Sequence, residues 1–231
     1  MTGAVAVLDR MDLAWAVRRL PAQVRQLLKK RGPNLFLAGG YLRAIVAGEK
    51  ASDIDLFTSS SNYAHLLSAE LAGEDRIHET PNAFTVKTRP IPTQFIHRWT
   101  FSSPADAIAS FDFTIAQAAI WFENGSWVSC CSQRFYPDLA AKRLIYTCPA
   151  RVEEAGGSML RVLKFYQRGY RIPLDSLGAV MARCARGVRQ VESVIDEHEL
   201  SKVITGLLRE VDPNVDPDHI AHLPAQSEEA R

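Results

Sequence analysis

The stretch Phe36-Leu-Ala-Gly-Gly-Tyr-Leu-Arg-Ala-Ile-Val-Ala-Gly-Glu-Lys-Ala-Ser-Asp-Ile-Asp-Leu-Phe57 decides how this chain folds. A short apolar strand, residues 34–38, runs into Gly39-Gly40, and a helix-like segment follows at once. It is closed by Gly48, in the position where a left-handed cap is common. The chain then returns along Asp53-Ile-Asp-Leu-Phe-Thr58, a second strand. Glycines at the end of a strand let the backbone approach a ligand, and free amides at a helix start suit an anion. Arg43 lies one turn into that helix, within reach of the same phosphate. Strand side chains alternate, so Asp53 and Asp55 share a face about 7 Å apart while Ile54 and Leu56 point to the core. Two carboxylates so placed repel by roughly 2 kcal/mol at an effective dielectric of about 20. A divalent cation removes that cost, and Mg²⁺ takes carboxylate and phosphate oxygens together. Two such ions, with Mn²⁺ able to substitute, clamp an in-line phosphoryl displacement. The stretch thus sets a triphosphate cradle (Gly39, Gly40, Arg43) beside a metal platform (Asp53, Asp55). Either element alone is common in proteins; the combination at this spacing is what points to catalysis.

Working outward, residues 11–30 read as two helices divided at Pro21, and residues 63–71 as a helix after a Ser-rich cap. Residues 83–88 and 93–99 read as antiparallel strands, and Ser103-Pro104 opens a helix through 109. Residues 113–122 fit helix or strand by periodicity, and 127–131 a strand. From Asp138 onward the pattern is helical, over 139–144, 157–168 and 176–208. The expected fold is α/β (α+β): a small mixed sheet flanked by helices, with a helical C-terminal segment. A soft boundary near Pro149 gives a head domain over 1–149 and a helical neck-like segment over 150–211. Residues 212–231, with two Asp-Pro steps and few apolar side chains, read as a flexible tail.

The 231 residues are 47% hydrophobic and 23% charged, ordinary for a soluble globular chain. Twenty-seven basic against 26 acidic residues give a net charge of +1, which excludes a global field that would draw in nucleic acid. A polyanion has to be met by a local cluster. Cys130, Cys131, Cys148 and Cys184 fit neither zinc spacing nor a disulfide scaffold and read as buried free thiols. The first ten residues lack the pattern of a signal peptide, and no apolar run approaches the roughly 20 residues that span a bilayer. These features read as a cytoplasmic protein without a membrane partner; they do not indicate an oligomeric state.

The residues from Leu37 to Leu56 resemble the head domain of class II tRNA CCA-adding enzymes and bacterial poly(A) polymerases, in the DNA polymerase β-like nucleotidyltransferase superfamily. The signature of that family is an apolar strand, Gly-Gly-x-x-Arg, a short helix ending at Gly, and Asp-x-Asp. Phe111-Asp-Phe-Thr-Ile-Ala-Gln-Ala118 resembles its Arg-Arg-Asp-Phe-Thr-Ile-Asn-Ala block, Pro137-Asp-Leu139 its later Asp-Leu step, and Leu160 through Ile172 its neck helix ending Gly-Phe-Arg-Ile. The resemblance implies a metal-dependent transfer of a nucleoside monophosphate from an NTP such as ATP to an acceptor, an RNA (tRNA-like) 3′ end. It implies Asp53 and Asp55 as catalytic metal ligands, Gly39, Gly40 and Arg43 on the triphosphate, and Asp112 on the sugar. The chain departs from the family at Ser110 and Phe111, where two arginines are expected, and at Glu154, Ala155 and Ser158, where the base-reading motif falls. Gln94 stands where many superfamily members carry a third carboxylate. These departures keep two alternatives open: a non-catalytic nucleotide- or RNA-binding module, and a toxin-like nucleotidyltransferase that modifies tRNA or protein. His97 and Arg98, at a strand end, and the basic run Arg161, Lys164, Arg168 and Arg171 are weaker phosphate candidates. Trp121, Phe122 and Trp127 read as core.

Overall fold

The computed structural model describes residues 5–72, 76–149, 156–189 and 201. It divides into two compact units, residues 1–150 with 170–173, and residues 151–169 with 174–231. The expected tail over 212–231, the part of the last helix beyond residue 189 other than residue 201, and positions 154 and 155 lie outside the described residues.

The first unit is built on an eight-stranded sheet: β1 (Val5–Ala6), β2 (Leu35–Ala38), β3 (Ile54–Thr58), β4 (Ile77–Glu79), β5 (Ala83–Val86), β6 (Thr93–Ile96), β7 (Ala118–Glu123) and β8 (Ser126–Ser132). Its order is β1-β8-β7-β2-β3-β6-β5-β4, antiparallel except for the parallel pair β3–β6. The sheet is mixed and helix-flanked as expected, and larger. Edge strands β1 and β4, two and three residues long, are too short to show an alternating pattern. The ambiguous 113–122 segment resolves into a 3₁₀ turn, Thr114–Ala116, followed by β7.

Helices α1 (Arg10–Arg19), α2 (Ala22–Arg31), α3 (Gly40–Val46), α4 (Ser61–Ala72), α5 (Pro104–Ala109) and α6 (Phe135–Ala140) complete this unit. Helix α1 starts where Asp9 accepts from the Met11 amide, and α5 where Ser103 accepts from that of Asp106. Helix α6 begins four residues before the expected 139–144 segment and ends at Ala140; Lys142 then takes a positive φ of 47° and turns the chain out of the helix.

The registers sort the sheet into two faces. Phe36, Phe57, Ile96 and Ala83 stand opposite one another in successive strands and form one buried row, covered by Ala107 and Ile108 of α5. Leu37, Leu56, Phe95 and Phe84 form the opposite row, and His65 of α4 packs edge-on against Phe84 at 5.0 Å between centroids. On the α5 side Phe57 contacts Phe36, Phe101 and Phe111, at 5.8 to 5.9 Å between ring centroids. Three of the four cysteines are buried as expected, whereas Cys148 is exposed, on a loop at φ 51°. Burial raises the Cys130 thiol to about 12, with Cys131 adding to it.

The second unit contains α7 (Gly157–Gln167) and α8 (Leu174–Arg189). Leu160 and Val162 of α7 are buried, and so is Ser158. Of the basic run, Arg161, Lys164 and Arg168 belong to this unit and Arg171 to the first.

Candidate functional site

The end of β2 runs straight into the glycine turn. Gly39 has φ 90° and ψ −133°, a conformation that side-chain-bearing residues rarely adopt, and its amide donates to the Ala118 carbonyl at 3.0 Å. A Cβ added at Gly39 would lie 3.5 Å from the Phe111 ring, so the turn rests on the aromatic row of the α5 face. At Gly40 an added Cβ would meet nothing within 4 Å: the turn opens onto free space. Phe111 joins the 111–118 block to this turn, and Phe57, against which its ring packs, lies two residues beyond Asp55 on β3.

Burial alternates along the acidic strand. Asp53 and Asp55 are half-buried, whereas Ile54 and Leu56 are fully buried. Asp55 therefore shares its face with Phe57. In β2 and β3, Leu37 stands opposite Leu56. Continuing that register by one step sets Ala38 beside Asp55, and strands so paired lie about 4.8 Å apart. The carboxylate thus falls next to the bend. Across the parallel pair Asp55 is matched with Gln94, and Gln94 in turn with Thr85 of β5. These three residues make a half-buried polar row immediately beyond the buried Phe57-Ile96-Ala83 row.

As a cation site this arrangement offers two carboxylates and one amide oxygen. Among the described residues no group of three His, Cys, Asp or Glu side chains converges. The donor set fits Mg²⁺, which is commonly held by one or two carboxylates with substrate phosphates and water filling the rest. It does not fit an all-protein cage.

The other sequence candidates are placed differently. Arg43 is 4% exposed and its guanidinium donates to the Glu49 carboxylate, a partner the sequence reading did not foresee. Tyr170 donates to the other Glu49 oxygen at 3.0 Å. Burial raises the Tyr170 phenol above its ordinary value, partly opposed by its hydrogen bond with Arg43. Asp112 is 4% exposed; its carbonyl accepts from the Thr147 amide at 2.9 Å, and Thr147 Oγ1 donates to the Phe111 carbonyl at 2.6 Å. His97 Nε2 pairs with the Thr80 carbonyl at 2.9 Å, and Arg98 donates to Asn82 at 2.9 Å, so both hold the loop between β4 and β5.

Asp138, singled out only through the Asp-Leu step, is the centre of a buried network. Thr114 donates to it at 2.7 Å, Arg134 at 2.9 and 3.0 Å, and Arg143 at 2.8 and 3.0 Å. Burial alone would push its carboxyl up. The hydrogen bonds from Arg134, Thr114 and Arg143 outweigh burial and hold it below the usual carboxylate range. A Thr at 114 with an Asp and two Arg clustered at 134–143 was the available sequence signal.

Comparison with known proteins agrees with this architecture. The CCA-adding enzyme of Thermotoga maritima complexed with tRNA superposes with a TM-score of 0.56 at 17% identity, over 79% of this chain and 47% of that one. A CCA-adding enzyme complexed with CTP gives 0.57 at 17%, over 88% and 51%, and a tRNA-processing enzyme with CTP gives 0.52 at 20%, over 71% and 46%. The fold is nucleotidyltransferase-like, and the chain spans about half the length of these structures. No curated protein matches the sequence. One family model, described as Gabija anti-defense 2 family protein, matches residues 11–142, more than half of the chain.

Proposed function

The chain belongs to the Gabija anti-defense 2 family, and from that premise and its nucleotidyltransferase-like fold we propose that it transfers a nucleoside monophosphate from an NTP to an acceptor. The observation that carries this reading is the juxtaposition of the open Gly39-Gly40 turn with the half-buried Asp53 and Asp55 on one side of the sheet. The Gly39 and Gly40 backbone cradles the triphosphate. Asp53 and Asp55 hold Mg²⁺, which when bound neutralises charge developing on the phosphate oxygens. Arg43, one turn into α3, would act on the same phosphates, and Asp112 on the sugar. The acceptor oxygen bonds to the α-phosphorus as the bond to the bridging oxygen breaks, and pyrophosphate leaves. The acceptor proton passes to solvent, because the Gln94 amide beside Asp55 is not basic.

Structures similar to this chain include complexes with CTP, ATP and tRNA, which supports an NTP as donor and an RNA 3′ end as acceptor. A second acceptor class, a hydroxyl on a protein, is compatible with a family named for countering the Gabija defence. Incubation with each α-labelled NTP, Mg²⁺ or Mn²⁺, total RNA and extract from cells carrying that defence decides between them. Label in RNA supports the first acceptor, and label in protein the second. Mg²⁺-dependent NTP binding with label in neither fraction would reduce the chain to a binding module.

A further inference from the structure

Arg43, Glu49 and Tyr170 form a cluster that joins three separate stretches of chain. Arg43 belongs to α3, the helix that the turn opens. Glu49 lies in the connection that leads from α3 to Asp53, where its amide donates to the Ala44 carbonyl at 2.7 Å. Tyr170, 121 positions further on, is 1% exposed and belongs to the same compact unit. Its position is fixed independently, because the neighbouring Arg171 exchanges backbone hydrogen bonds at 2.8 Å with Lys142 and Leu144.

The Glu49 carboxylate is shared, one oxygen taking Arg43 and the other Tyr170. A guanidinium at 4% exposure is costly to leave without its counter-charge. Movement of the connection away from α3 would break the bonds that Glu49 makes to Arg43 and Tyr170, so the shared carboxylate ties the connection to the helix. The helix carries the Gly39-Gly40 bend and the connection carries Asp53.

We propose that Glu49 and Tyr170 are positioning residues of the nucleotide site, which act through Arg43 to fix the distance between the glycine turn and the Asp53–Asp55 carboxylates. This inference rests on the nucleotidyltransferase reading. A fixed distance serves bound nucleotide and transition state alike, so its loss weakens NTP affinity and leaves saturated turnover almost unchanged.

Tyr170→Phe is the sharpest test, since it keeps the ring and removes one hydroxyl; Glu49→Gln is the second variant. Kd for Mg²⁺-NTP by calorimetry, KM, kcat and thermal midpoint are measured for both and for the wild type. Tyr170→Phe is expected to raise Kd and KM about tenfold, the scale of one buried hydrogen bond to a charged group, with kcat within about twofold. Glu49→Gln is expected to raise both further. A lower thermal midpoint with Kd and KM unchanged in both variants would make the cluster merely structural and overturn the proposal. Wild-type protein that binds no Mg²⁺-NTP would instead overturn the nucleotidyltransferase reading, and this inference with it. If Glu49→Gln does not fold, Tyr170→Phe alone decides.

Discussion

Asp138 is fully buried and takes hydrogen bonds from Thr114, Arg134 and Arg143, whereas Asp53 and Asp55 stand half-buried at the start of β3 beside an open glycine turn. The first carboxylate has its charge balanced within the fold, and its depressed pKa records that balance. The second pair stands half-buried beside the bend, where the proposed cation and phosphates would bind. The ringed acid belongs to the scaffold, and the acidic pair along β3 is the proposed ligand site.

That contrast is broken or sharpened by exchanging the consequences of mutation. Asp53→Ala with Asp55→Ala is expected to lower NTP turnover at least about 10³-fold, since no carboxylate for the metal would remain. Its thermal midpoint should stay within a few degrees of the wild type, because neither side chain is part of the core; differential scanning calorimetry beside an activity assay reads both. Asp138→Asn should do the reverse. Breaking a buried charge network costs about 3–5 kcal/mol, and the low end applies here because Arg134 and Arg143 are about half exposed and regain water. Denaturant unfolding should therefore show a loss of about 3 kcal/mol.

The same residue gives a pH signature. Its folded pKa lies below the unfolded value, so folding favours the carboxylate form. The stabilisation is complete above about pH 4, the unfolded value, and drains away as pH falls through the folded value. Midpoints measured from pH 7 to pH 2 should show this acid limb in the wild type and a weakened one in Asp138→Asn.

Much of the scaffold was legible in local sequence. Pro21 divided α1 from α2, Ser103-Pro104 opened α5, and the Asp53–Leu56 alternation set the strand faces. Long periodic or capped segments carry their own signal. β1 and β4 do not, because two or three residues become a strand only through the partner they pair with. The glycine turn and the acidic strand were also visible as a unit. The contact of Tyr170 with Glu49 was not, since 121 positions separate the two and only the fold brings them together.

The smallest expected effect concerns the position opposite Asp55. Gln94→Glu adds a second acid across the strand pair, and like charges directly opposite cost up to about 1 kcal/mol. The apo thermal midpoint should fall by a few degrees and recover on adding Mg²⁺. A midpoint indifferent to Mg²⁺ would mean that Gln94 does not face the cation.

The central claim, that Asp53 and Asp55 hold the metal that presents a triphosphate to the glycine turn, is tested most directly by titrating NTP into wild-type and Asp53→Ala/Asp55→Ala protein, with Mg²⁺ and with EDTA. The account predicts binding by the wild type that is lost in EDTA and absent from the double variant under either condition. Equal affinity in the two proteins with Mg²⁺ present would contradict it.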